Sequence, residues 1–118
     1  MDNVFSQVIV YQVKPEKIEE FEALVTTLIP EHEAQPGCLS AWYMKRFYTF
    51  DRVEPGNPPR ELTKIVKCVK YFAYLEFDSA ESCGAHKDWF FAVHLKPLSR
   101  LLIAPFDLHQ GVGWADNQ

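Results

Sequence analysis

Apolar and polar positions alternate over several short stretches of this chain, and in two longer stretches they recur every three to four residues. Phe5–Val13 (FSQVIVYQV) is rich in β-branched residues and predicts a first strand. A helix follows from Pro15, where proline is tolerated because its missing N–H had no partner in the first turn. Ile18, Phe21, Leu24, Val25 and Leu28 form one apolar stripe at the helical period. Glu16, Glu19 and Glu20 suit the positive end of its dipole. Pro30 is expected to end or kink this helix, since it disfavours helical backbone at Ile29. A further turn over 31–35 precedes the break at Pro36-Gly37.

Cys38–Phe50 predicts a long second strand, and Lys64–Phe77 a third, antiparallel to it. Between them Asp51–Leu62 (DRVEPGNPPREL) holds three prolines and a glycine, a loop long for a hairpin. After Phe77 the pattern switches to helical spacing through Asp78-Ser79-Ala80-Glu81. Asp78 is the expected cap, with Glu81 reaching back. The helical region from Ser79 to about Ile103 is interrupted by Gly84 and Pro97. It is expected in two pieces, with Asp88 as a second cap and Phe91, Leu95, Leu98 and Leu102 as its apolar stripe. Phe106–Trp114 alternates and predicts a fourth strand, with Gly111-Val112-Gly113 read as a bulge.

The order β-α-β-β-α-β is the ferredoxin-like pattern of the α+β class: a four-stranded antiparallel sheet with helices on one face. The whole chain, 1–118, reads as one domain. On the third strand Val69, Tyr71, Ala73, Leu75 and Phe77 share one parity; Val66, Cys68, Lys70, Phe72, Tyr74 and Glu76 share the other. Both sets contain aromatics, yet helices cover one face. A homodimer packed sheet to sheet through Phe72, Tyr74 and Glu76 resolves the conflict.

Composition narrows the function classes. The net charge is −4 and no Lys/Arg run exists, which argues against a nucleic-acid partner. No apolar run is long enough to span a membrane. The N-terminus is polar and acidic, so no signal peptide is expected. Three cysteines (Cys38, Cys68, Cys83) in no CxxC spacing read as reduced thiols in a cytoplasmic setting.

Three segments carry a resemblance to a known family. Val8–Phe21 (VIVYQVKPEKIEEF), Pro36-Gly37-Cys38-Leu39 and Phe77–His86 (FDSAESCGAH) resemble the antibiotic-biosynthesis-monooxygenase-like family of the dimeric α+β barrel superfamily. They match its first strand and helix, its "pGC" entry to strand two, and its strand-to-helix segment ending in "AH". The resemblance implies a dimeric barrel. It also implies an activity drawn from cofactor-free oxygenation of quinol-like substrates, haem degradation, or no turnover. The haem-degrading pattern joins a helix His, a sheet Trp and a strand-one Asn. Here His86 or His94 would supply the first, but Phe77 stands at the Trp position and strand one has Gln7 and Gln12 without an Asn.

His86 is the expected catalytic residue, an imidazole able to take a proton from a phenol. Tyr71, Phe77, Trp89, Phe90 and His94 are the expected substrate-binding residues, aromatic walls for a planar ligand between helices and sheet. For each of them the ordinary alternative is core packing or a satisfied buried polar group. Cys83 and His86 at i, i+3 hint weakly at a nucleophile and base. His32 and His109 show no metal-ligand spacing, and no cofactor is expected. Two function classes follow: a cofactor-independent monooxygenase of a small phenolic or quinol-like substrate, or a non-catalytic binding or structural module on the same barrel.

Overall fold

A computed structural model describes residues 4–50, 55–64 and 67–113. The elements are β1 (Phe5–Val13), a 3-10 turn (Pro15–Lys17), α1 (Ile18–Glu33), β2 (Cys38–Lys45), β3 (Tyr48–Thr49), β4 (Arg60–Glu61), β5 (Val69–Phe77), α2 (Ala80–Ser99) and β6 (Asp107–Val112). The main sheet has the order β2-β5-β1-β6 and every pairing in it is antiparallel. This is the α+β, ferredoxin-like arrangement that the element order predicts.

Period-two alternation sets the two faces of the sheet. The odd residues of β1 and β5 point inward: Ile9, Tyr11, Val13, Ala73, Leu75 and Phe77 are buried against α1 and α2. From α1, Phe21 packs edge-on to Tyr11 at 5.1 Å and lies 4.6 Å from Tyr71. The even residues form the other face. There Trp42, 53% exposed, stacks on its cross-strand neighbour Tyr74 at 4.3 Å. Met44 pairs with Phe72, and Val8 and Val10 continue the apolar strip. No helix among the described residues covers this face.

Several local expectations are corrected. Pro30 neither ends nor visibly breaks α1, which runs to Glu33 with Pro30 exposed on its outer side. Leu28 and His32, buried on either side of it, hold the helix to the sheet and outweigh the roughly 3 kcal/mol a mid-helix proline costs. For the same reason α2 is one helix through Gly84 and Pro97. Its buried stripe is Cys83, His86, Phe90, His94 and Leu98, while Phe91 and Leu95 are more than a third exposed. Asp88 is mid-helix and caps nothing.

The N-cap of α2 is Ser79, whose Oγ accepts from the Ser82 N–H at 3.1 Å; Asp78 accepts from the Ser82 hydroxyl instead, and Glu81 does not close a capping box. Strand two stops at Lys45. A two-residue pairing of β3 with β4 then takes up part of the expected loop. Strand three begins at Val69 rather than Lys64. Gly111 pairs in unbroken register with Ser6, so there is no bulge. The expectations placed on residues 51–54, Val66 and Trp114 lie outside the described residues.

At Gly37 the backbone requires glycine. Its φ is +82°, and a Cβ there would overlap the Ser82 side chain. The close approach lets Asp78 N–H donate to Gly37 C=O at 2.9 Å, which ties the start of β2 to the start of α2.

Candidate functional site

Three buried side chains and the half-buried Tyr43 form a polar line inside the apolar core. His86 on α2 meets His32 on α1 with 2.7 Å between Nε2 and Nδ1. His32 Nε2 lies 2.8 Å from Tyr43 Oη, and Tyr43 Oη lies 3.0 Å from Tyr11 Oη. Helical period and strand parity place them. His32 follows Leu28 by one turn on the buried face of α1, and His86 follows Cys83 on the buried face of α2. Tyr43 shares the inward parity of Ala41, and Tyr11 that of Ile9.

Electrostatics keep the line neutral. Desolvation lowers His32 to about 3, helped by the neighbouring His86 and His94, and lowers His86 to about 4. Burial raises both Tyr11 and Tyr43 above the ordinary phenol value. Four neutral groups then carry four protons but make three hydrogen bonds. One proton is therefore unpaired. In two arrangements it lies at an end: Tyr11 donates to Tyr43, Tyr43 to His32 and His32 to His86, leaving an N–H on His86 Nδ1, or every bond runs the other way and the Tyr11 hydroxyl is left over; in a third, Tyr43 accepts from both Tyr11 and His32 and its own proton is left over. His86 Nδ1 is buried without a partner among the described residues. The two arrangements have the same number of bonds, so a proton entering at one end is passed on without rebuilding the network.

Aromatic rings enclose the His86 end. Phe77 lies edge-on at 5.1 Å, Trp89 edge-on at 5.4 Å and Phe90 stacked at 5.7 Å. His94, 6% exposed, sits beside Trp89 and meets Glu31 Oε1 at 3.2 Å. The structure thus brings together five of the six residues expected at the site. Tyr71 is elsewhere, beside Phe21, donating its hydroxyl proton to Glu22.

Tyr43, between His32 and Tyr11 in the line, reaches a pocket of about 220 Å³ between α1 and the β2–β5 edge, lined by Glu22, Val25, Tyr43, Lys45 and Tyr71. Lys45 bonds Glu22 at 2.8 Å, and that bond, ahead of the one from Tyr71, lowers the Glu22 carboxyl. The expected residues therefore divide between a packed ring cluster and an open pocket, and His32 and Tyr43 bridge the two. Sequence reasoning passed over both. The signal was present: His32 continues the Phe21–Leu28 stripe, and Tyr43 has the inward parity of strand two. Among the described residues no group of three or more His, Cys, Asp or Glu is placed to hold a metal ion. No helix among them is long and apolar enough to cross a membrane.

Comparison with known proteins agrees with this geometry at the level of the fold. The family model described as antibiotic biosynthesis monooxygenase matches residues 4–56. No curated protein matches the sequence. Solved structures share the fold at low identity. A monooxygenase from Streptomyces coelicolor in complex with nanaomycin D is 18% identical, with a TM-score of 0.66 over 98% of this chain and 91% of that one. A protein of unknown function from Nitrosomonas europaea is 12% identical, with a TM-score of 0.69 over 98% and 94%. A dimeric ferredoxin-like protein from an uncultured marine organism is 10% identical, with a TM-score of 0.64 over 98% and 100%.

Proposed function

With its likeness to the antibiotic biosynthesis monooxygenase family as the premise, we propose that this protein is a cofactor-independent monooxygenase of a small phenolic or quinol-like substrate. It works as a homodimer packed through the uncovered sheet face at Phe72, Tyr74 and Glu76. The observation that carries the reading is the buried His86–His32–Tyr43 line ending at an open pocket. Filling a core with four polar rings costs desolvation that an apolar core avoids. A line of this kind supports proton transfer between the pocket and the interior.

The substrate hydroxyl donates to Tyr43 in the pocket, against Val25 and Tyr71. Its proton displaces that of Tyr43 onto His32 Nε2, and the His32 Nδ1 proton passes to His86 Nε2. His86 is the terminal base, acting through His32 and Tyr43. Moving a proton from a phenol near pKa 10 to an imidazole at about 4 costs roughly 8 kcal/mol. Turnover at 1–10³ s⁻¹ allows a total barrier of roughly 13–17 kcal/mol, so the step fits beneath it. The electron-rich phenolate then supplies the electrons for reaction with dioxygen. A carbon–oxygen bond forms, the ring proton leaves and the O–O bond breaks. Phenol plus dioxygen gives quinone plus water, with the stored proton returning to the departing oxygen. Phe77, Trp89 and Phe90 keep the His86 end dry.

One observation favours a non-catalytic binding module: Phe77 and Phe90 are at most 1% exposed, so the ring cluster is packed rather than hollow. Oxygen uptake with a panel of phenols, naphthols and quinols separates the readings. Turnover is expected for at least one compound, with His86→Ala slower by at least about a hundredfold and Tyr43→Phe similarly impaired. Binding of panel members with no oxygen uptake, or wild-type turnover in His86→Ala, rejects the proposed mechanism.

A further inference from the structure

The polar line carries one spare proton, and burial limits where it is tolerated. In the first arrangement it is an N–H on His86 Nδ1, in a residue 1% exposed among Phe77, Trp89 and Phe90. In the second it is the hydroxyl proton of Tyr11, 0% exposed, whose oxygen has Tyr43 as its only partner among the described residues. A buried donor without an acceptor costs stability, and an unmet acceptor is tolerated better. In the third, Tyr11 and His32 Nε2–H both donate to Tyr43 Oη, and the spare proton belongs to Tyr43. Tyr43 is half-buried and lines the pocket, so this is the one spare proton that a pocket ligand can meet.

A hydroxyl that receives two hydrogen bonds is polarised towards donating its own proton. Burial raises Tyr43 above the ordinary phenol value, so it keeps that proton beside an anion. The other charges at the pocket offset each other. The Lys45 ammonium lies 2.8 Å from Glu22 Oε2, and Tyr71 donates to the same oxygen. His32, behind Tyr43, is held neutral by burial. The pocket therefore offers one directed donor beside Val25 and the Tyr71 ring, with its ion pair already closed. At roughly 30 Å³ per water-sized group its volume holds about seven heavy atoms, one benzene ring and its oxygen.

Resting on the reading that the Tyr43 pocket takes a phenol, we infer that it holds its ligand as the phenolate and so selects phenols acidic enough to ionise near neutral pH. An ordinary phenol must first drive its proton uphill onto a buried imidazole. The transfer ends with Tyr43 accepting from Tyr11 and His32 and donating to the phenolate. An acidic phenol arrives as the anion and finds those bonds in place with both imidazoles neutral. Tyr11 is a positioning residue here, acting on the ligand through Tyr43 Oη. The probe is 4-nitrophenol, which absorbs in the visible only as its phenolate, titrated between pH 6 and 8 beside its uncharged isostere 4-nitrotoluene. Saturable binding is expected, with the bound compound ionising at least about one pH unit below the free one, the mark of tenfold tighter phenolate binding. Tyr43→Phe should weaken phenolate binding about tenfold to a hundredfold, and Tyr11→Phe about two- to fourfold. Neither should change 4-nitrotoluene binding, which a loss of packing would alter. Nitrophenol bound with unshifted ionisation, or a Tyr43→Phe complex as ionised as wild type, overturns this inference and leaves the pocket reading standing. Failure of both compounds to bind at about 1 mM overturns the pocket reading with it.

Discussion

Lowering the pH from 7 to 5 should destabilise this protein by an amount the His32–His86 pair sets. Both imidazoles are held neutral, at about 3 and about 4, because burial removes the water that would solvate the cation. For His32 the facing rings of His86 and His94 add to the effect. In the unfolded chain each returns to about 6.5. Below that value the unfolded state binds more protons than the native one, so stability falls as pH falls. The contribution is intact above about pH 6.5 and is lost progressively towards pH 4 and 3. At pH 5 each histidine costs about 2 kcal/mol, about 4 kcal/mol for the pair, and by pH 3 the cost approaches 8 kcal/mol. A domain of this size has about 5–15 kcal/mol in total, so the loss of about 6 kcal/mol by pH 4 is a large share of it. Urea melts followed by tryptophan fluorescence at pH 7, 6 and 5 measure the slope before most carboxylates titrate. His32→Phe/His86→Phe should flatten it. A wild-type stability at pH 5 within about 1 kcal/mol of that at pH 7, or an unchanged slope in the double variant, refutes the argument.

Gly37→Ala should cost about 2–4 kcal/mol in urea unfolding, because a positive φ and overlap with Ser82 act together; a loss under 1 kcal/mol would mean the β2–α2 junction is not rigid. Ser79→Ala should cost about 1 kcal/mol by removing the acceptor for Ser82 N–H, measured the same way, whereas Asp88→Ala should be nearly neutral. Tyr74→Asp should weaken the proposed homodimer by placing a charge next to Trp42; sedimentation at micromolar concentration should show added monomer, and a fully dimeric variant would reject this face as the interface. Replacing the 51–62 segment with Asn-Gly should leave the main sheet folded by circular dichroism, since only the short β3–β4 pairing is lost.

Periodicity alone determined the α+β class, the four main strands and the two helices, and divided β5 into two faces without deciding which of them turns inward. These depend on spacing within one segment, and burial of an apolar face is strong enough to decide them. Tertiary packing decided the rest. Pro30, Gly84 and Pro97 read locally as breaks, but buried neighbours one turn away carried both helices through them. The buried stripe of α2 includes two histidines in place of Phe91 and Leu95 because ring packing against Phe77 and hydrogen bonding to His32 and Glu31 set the rotation of the helix. His86 was legible as a candidate because it closes a motif. Its partners were not: His32 and Tyr11 are 54 and 75 residues from it in sequence, and no local pattern encodes a hydrogen bond between residues so far apart. Only folding brings α1, β2 and α2 to one point, and only there do two imidazoles and two phenols become a single proton-carrying line.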